Sequence, residues 1–188
     1  MPKLILGLTG QIGSGKGALG EYLQKTYGAE LFKFSTYLTR VLNVLALDPS
    51  RENLIRASEI LRNGFGEHAL SHAIARDVCA STAQIAVVDG IRRIEDLADL
   101  EPIPHFRLAS VEADQRLRFE RVGNRGEKTE EKGLTWETFL AQEERSTEIT
   151  VPQTMARATI RIDNNGSAAD LIARADALMA EFGIQKRS

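Results

Sequence analysis

Apolar and polar residues alternate between two rhythms along this chain. Residues 4–9 form a short apolar run closed by Gly10, and Leu19 and Leu23 then fall four apart within 16–26. This predicts strand, glycine loop and helix in that order. Residues 30–34 predict a second strand. From 35 to about 80 the spacing is helical, with Leu38, Leu42 and Leu45, a break at Asp48 and Pro49, then Leu54, Ile60 and Leu61, and a further apolar stretch over 69–78. Residues 85–88 are continuously apolar and end at Asp89 and Gly90, the pattern of a buried parallel strand whose carboxyl end faces a site. A strand over 105–111, a helix over 114–122, a polar loop over 123–133, a helix over 136–145, a strand over 158–162 and an amphipathic helix over 168–182 complete the chain. Strands alternating with helices imply an α/β fold, a parallel sheet covered on both faces and wound right-handed.

Composition narrows this picture only a little. The 188 residues suit one domain, 43% of them are hydrophobic and 27% charged, and no stretch reaches the roughly 18 apolar residues of a membrane span. The division expected is a core of 1–34, 81–122 and 148–188, a helical region of 35–80 and a further segment of 123–147. The amino terminus shows no export signal, and the single cysteine, Cys79, suits a reducing cytoplasm. A net charge of −2 argues against nucleic acid as a partner. Neither a membrane partner nor an assembly beyond a monomer or weak homodimer is expected.

The candidate chemistry begins with GQIGSGK, residues 10–16, which satisfies the phosphate-loop pattern G-x-x-x-x-G-K between a strand and a helix. Gly10, Gly13 and Gly15 let the backbone curl so that successive N–H groups face one anion, the helix adds its positive end, and Lys16 brings a mobile charge to the β and γ oxygens. A glycine turn that merely caps a helix has no use for that lysine. The loop therefore predicts a three-layer α/β/α P-loop NTPase fold with a five-stranded parallel sheet, binding ATP with Mg²⁺ through Gly10, Gln11, Ile12, Gly13, Ser14, Gly15, Lys16, Gly17 and Ala18. The residue after the lysine is ordinarily Ser or Thr, whose hydroxyl holds Mg²⁺; here Gly17 and Ala18 follow. Asp89, an acid at the end of an apolar strand, is the candidate to hold the metal through water.

The segment VVDGIRR, 87–93, resembles the DGxPR or DGIR segment of nucleoside monophosphate kinases and their dephospho-CoA-kinase-like relatives. That resemblance gives Arg92 a grip on the acceptor's phosphate. FSTYLTR, 34–40, is similar to the start of the acceptor-binding region of these kinases, which places Ser35 near the acceptor's base or sugar and Arg40 on its phosphate. GLTGQIGSGKG is similar to adenylate and dephospho-CoA kinases alike. IDNNGSAADL, 162–171, resembles the adenine-covering loop of dephospho-CoA kinases, implicating Asn164 and Gly166. Ser35 and Thr36 stand where a dephospho-CoA kinase would carry an acidic pair.

Arg118, Arg121 and Arg125 fall at i, i+3 and i+7, on one face if the helix persists that far. Phosphoryl transfer is catalysed largely by positioning and positive charge, so arginines converging at a flexible segment suit it. The spacing of Arg121 and Arg125 resembles the lid-helix arginines of adenylate kinases, and Arg145 their lid-side arginine. Residues 123–135 hold three glycines and no apolar rhythm, which suits a lid over ATP. His68 and His72 stand four apart without a third metal ligand.

Together these features predict an ATP-dependent nucleotide kinase in which Lys16, Asp89, Arg92, Arg121 and Arg125 are catalytic and Ser35, Arg40, Asp89, Arg92 and Arg145 bind a small-molecule nucleotide acceptor. The acceptor expected first is a nucleoside or deoxynucleoside monophosphate. Phosphorylation of the 3′-hydroxyl of dephospho-CoA is the alternative, and a nucleotide-binding switch without transfer activity is a third.

Overall fold

The computed structural model describes residues 1–125 and 134–187, with Arg125 described in its backbone alone. Strands β1 (Leu4–Thr9), β2 (Glu30–Lys33), β3 (Ile85–Asp89), β4 (Phe106–Glu112) and β5 (Ile160–Asp163) form one parallel five-stranded sheet in the order β2-β3-β1-β4-β5. Helices α1 (Lys16–Tyr27), α2 (Phe34–Val44), α3 (Arg51–Phe65), α4 (Ala69–Ala80), α5 (Gln115–Arg125), α6 (Trp136–Glu143), α7 (Val151–Ala156) and α8 (Ala168–Glu181) complete it.

β1 lies at the centre and every one of its residues is buried, which is why it reads as an unbroken apolar run. The pleat still sorts its side chains. Leu4, Leu6 and Leu8 join Leu19 and Leu23 of α1 and Ala175, Leu178 and Met179 of α8 on one face. Ile5 joins Val88, Leu108, Leu38 and Leu42 of α2, and Ile74 and Val78 of α4 on the other. Next to Ile5 on that face only a glycine fits: a Cβ on Gly7 would stand 2.7 Å from Ile91 Cδ1 and 2.8 Å from the Phe106 ring.

Several elements depart from the expected ones. β2 stops at Lys33, and Phe34 already begins α2. The helix expected over 114–122 runs as α5 to Arg125. α7 was not foreseen, because six residues with a proline in the first turn carry no apolar stripe long enough to read. Thr150 and Thr154 fix that turn by donating to the Arg92 carbonyl, each at 2.9 Å.

The carboxyl-terminal tail is held on α1 by a polar knot. Asp176 accepts from Tyr22 at 2.6 Å, Tyr27 at 2.7 Å and Lys186 at 2.7 Å. Lys186 first, then the Tyr22 hydroxyl, draw the Asp176 carboxyl down to about 2. A carboxyl depressed on folding contributes stability above its unfolded value, about 3.9, and loses it as the pH falls through its folded value. Asp176→Asn should therefore lower the thermal midpoint at pH 7, with the gap to the parent closing as the pH drops from about 4 to 2. A gap independent of pH would dismiss the charge as its cause.

Candidate nucleotide and acceptor site

In an α/β sheet of this kind ligands bind beyond the carboxyl ends of the strands. There the β1 turn, Asp89 at the end of β3, the start of α2 and the β5–α8 loop border one cleft of about 910 Å³. The parallel register sets Leu8 beside Asp89, and Asp89 beside Lys33 of β2.

The β1–α1 turn is shaped by its glycines. Gly13 and Gly15 have φ of 78° and 98°, a region costly for other residues. A Cβ on Gly13 would stand 2.5 Å from the Arg118 carbonyl, and one on Gly15 2.2 Å from Asn164 Nδ2. Gly15 is the N-cap of α1, whose first turn carries no acid, so the N–H groups of residues 16–18 face the cleft beside a positive helix end. Lys16 Nζ lies 3.3 Å from the Gln11 carbonyl, a long contact. Gln11, Ile12, Ser14 and Ala18 occupy the same turn, with Ile12, Gly17 and Ala18 lining the cleft. A Cβ on Gly17 would meet nothing within 4 Å.

Asp89 fits a metal or an acceptor hydroxyl on an observation of its own: among the described residues its buried Oδ1 has no hydrogen-bond partner. Leaving a buried carboxylate oxygen unpaired is costly, and the cost is recovered when a cation or donor arrives.

The β5–α8 loop is built as a brace. Asn164 is 5% exposed and its Nδ2 donates to the Ser14 carbonyl at 2.8 Å. Arg121 Nη1 donates to the Asn164 carbonyl at 2.9 Å and Nη2 to the Gly166 carbonyl at 3.2 Å. Arg121 lines the cleft from there, bound to the loop that also carries Asn164.

The expected arginine face divides. Arg118 is 3% exposed, donates to the Ile12 carbonyl at 3.1 Å and the Ala113 carbonyl at 3.0 Å, and pairs closely with Glu143. It supports the phosphate loop from beneath and does not point into the cleft with Arg121. The Arg125 side chain, and residues 126–133 of the expected lid, lie outside the described residues.

On the α2 side Ser35 lines the cleft, and Arg40 does not. Arg40 lies over the Tyr37 ring, 5.4 Å from its centroid, in a separate groove of about 400 Å³ against Asp77. The cause is helical phase. Leu38 and Leu42 bury α2, and two residues past Leu38 turn about 200° away from that stripe. Arg145 is also absent from the lining, whereas Ser146, Thr147 and Glu148 after it are present. His68 and His72 turn to the Glu95 carbonyl and the Asp99 carboxylate.

Arg92 enters the cleft and pairs with Glu148, whose side chain is 4% exposed. Crowding by protein atoms first, then the nearby Arg51 guanidinium, lower Arg92 from its ordinary value, and Asp89 and Asp96 oppose them. Arg51 and Glu148 were not anticipated in the cleft. Arg51 follows the Ser50 cap of α3, reaches Glu148 at 3.7 Å and donates to Gln142 at 3.0 Å. Glu148 itself carried no sequence signal. Arg62 lines the cleft too, is 6% exposed and donates to Asp96 at 2.7 Å. Phe34, Leu38, Leu54, Ile55 and Leu70 give this half of the cleft an apolar wall.

The fold agrees with that of solved proteins. The chain superposes with a TM-score of 0.62 on TT1252 from Thermus thermophilus, at 20% identity over 96% of this chain and 98% of that one. It gives 0.61 on a shikimate kinase from Bacteroides thetaiotaomicron, at 11% identity over 96% and 99%. A gluconokinase from Sinorhizobium meliloti gives 0.59, at 16% identity over 95% and 93%. The fold is that of the P-loop kinases. A UPF0200 protein of Hyperthermus butylicus is 28% identical over 137 residues, 73% of this chain and 72% of its own. No family model matches the chain. In this P-loop kinase fold, no helix among the described residues is long and apolar enough to cross a membrane.

Proposed function

We propose that this protein is an ATP-dependent phosphotransferase that passes the γ-phosphoryl group to a small nucleotide acceptor. One observation carries the reading: the glycine turn with Lys16, the unpaired Asp89 oxygen and the Arg92 guanidinium open into a single cleft. Gly10 to Ala18 would hold the triphosphate, Asn164, Gly166 and Arg121 the adenosine end, and Ser35 and Arg92 the acceptor. In this reading residues 35–80 bind the acceptor and 123–147 act as the lid. ATP supplies the transferable phosphoryl group, and Mg²⁺ would neutralise its charge near Asp89. Lys16 offsets charge on the moving group, the loop amides fix its direction, and the apolar wall excludes water.

A nucleoside monophosphate suits the apolar wall of Phe34, Leu38 and Leu54 together with a cationic end at Arg92. A hydroxyl acceptor, as in dephospho-CoA, is the second reading, favoured by the unpaired Asp89 oxygen, which could take the hydroxyl's proton. The neighbours named for shikimate and gluconate kinases add small hydroxy acids to the panel worth testing. A coupled ADP-release assay across monophosphates, dephospho-CoA and hydroxy acids separates these readings. ATP binding with no turnover on any acceptor would favour a nucleotide-binding switch.

The open space at Gly17 adds a gain-of-function test. Gly17→Ser places a hydroxyl beside the phosphate site at a helical position where a Cβ meets nothing within 4 Å. Urea unfolding should show stability raised by about 0.5 kcal/mol, since serine suits a helix better than glycine. The Mg²⁺ concentration for half-maximal activity should fall. An unchanged or higher Mg²⁺ requirement would show that the metal does not approach this position.

A further inference from the structure

Gly17 leaves the phosphate site one polar group short, and the residue one helical turn further on faces the same cleft. Glu21 stands four positions after Gly17 on α1, and both line the cleft with Lys16. Across from them, also in the lining, is Lys33, the last residue of β2. The sheet aims it. Leu31 pairs in register with Val87 and Lys33 with Asp89, and Leu31 and Val87 both pack into the core on the α1 face. By the alternation of a strand, Lys33 and Asp89 leave the sheet on that face too.

Lys33 therefore has one carboxylate beside it in the ladder, yet the structure pairs it with the other. Its Nζ lies 3.6 Å from Glu21 Oε1, an ion pair too long for a hydrogen bond. The buried Asp89 Oδ1, meanwhile, has no hydrogen-bond partner among the described residues. The Lys33–Glu21 pair is open to water, with side chains 32% and 66% exposed, and pairs of that kind contribute little to stability. What it does achieve is to keep a weakly held cation on a flexible stem at the cleft, on the Asp89 side, facing the glycine turn. A triphosphate arriving there presents more negative charge than one exposed carboxylate and accepts stronger hydrogen bonds from an ammonium.

We propose that Lys33 is a further catalytic residue: held by Glu21 while the cleft is empty, its ammonium moves to the γ-phosphate of ATP and supplies from β2 a polar contact that the loop lacks at Gly17. This rests on the phosphotransferase reading of the cleft. Lys16 approaches the phosphoryl group from the loop and Lys33 from the end of β2, so the charge spread over its oxygens in the transition state is met from two directions. Glu21 is a positioning residue. It keeps Lys33 off Asp89, leaving that carboxylate free, and yields the ammonium when the triphosphate enters.

The test uses the full chain with Mg²⁺ and two probes, ADP and the non-hydrolysable β,γ-imido analogue of ATP, which differ in the terminal phosphate. In the parent, NMR should show the Lys33 ε-methylene signals moving on addition of the analogue and staying in place with ADP. Lys33→Met keeps the stem and removes the charge; by calorimetry it should bind the analogue about tenfold more weakly than the parent and ADP equally well, a ratio within the coupling of close charge pairs. Lys33→Arg should recover most of that loss. Glu21→Gln should move the other way, binding the analogue about threefold more tightly, because the ammonium no longer has to leave a carboxylate. A pair that served the fold alone would make the two variants alike. Combining Glu21→Gln with Lys33→Met should erase the gain, and a gain that survives there overturns the hold of Glu21 on Lys33. Lys33 signals that ignore the analogue, or a folded Lys33→Met protein with the parent's preference for the analogue over ADP, overturn the proposal. A parent that binds neither nucleotide would instead overturn the kinase reading.

Discussion

Lys16→Ala should lose about a thousandfold in phosphoryl transfer while keeping its fold. The ammonium stands at the first residue of α1, where the loop amides already concentrate positive potential, and it is the movable member of that set. Charge that grows between donor and acceptor in the transition state is met there by a group held in place beforehand. Removing one such donor typically costs two to three powers of ten. The stability cost is small, about 0.5 kcal/mol, because Lys16 is only partly buried. Steady-state kinetics beside a thermal melt read the two effects separately. The loss should fall mainly on kcat, with ATP affinity reduced far less, since the ground state keeps the amide cradle. A variant with parental turnover would remove Lys16 from the chemistry.

Features that depend on neighbours in sequence were legible, and features that depend on where a surface turns were not. The phosphate loop could be read because its glycines, lysine, strand and helix are contiguous, and the structure places them as that order requires. Asp89 could be read because four apolar residues ahead of it announce a buried strand. Arg40 looked equally suitable, yet the stripe of Leu38 and Leu42 that seats α2 on the sheet turns it into another groove. Arg118 and Arg121 share a face by spacing, yet they part in the structure: beside the ring cluster of Phe119, Trp136 and Phe139 between α5 and α6, Arg118 turns inward onto Glu143, while Arg121 lines the cleft. Arg51 and Glu148 stand 97 positions apart in the printed sequence, and no local pattern joins them. Only the approach of α3 to the α6–α7 turn brings them within 3.7 Å.

Asp89→Asn is expected to have the second large effect, and its form decides what kind of acceptor the cleft serves. The substitution keeps shape and removes charge, so packing around β3 should survive, and the unpaired Oδ1 becomes a neutral amide atom or a donor. If the acceptor attacks through a phosphate oxygen, no proton needs to be taken, and Asp89 serves only the metal. Turnover then drops about a hundredfold and recovers in part when Mg²⁺ is raised or replaced by Mn²⁺, because the missing ligand is compensated by occupancy. If the acceptor attacks through a hydroxyl, the loss reaches about ten-thousandfold at neutral pH, no metal concentration restores it, and the residual rate climbs with pH as hydroxide replaces the lost base. The pH profile of kcat, measured at saturating and limiting metal, separates the two. Parental activity in Asp89→Asn would dismiss both roles together, and with them the meaning attached to a carboxylate oxygen left without a partner at the mouth of the phosphate loop.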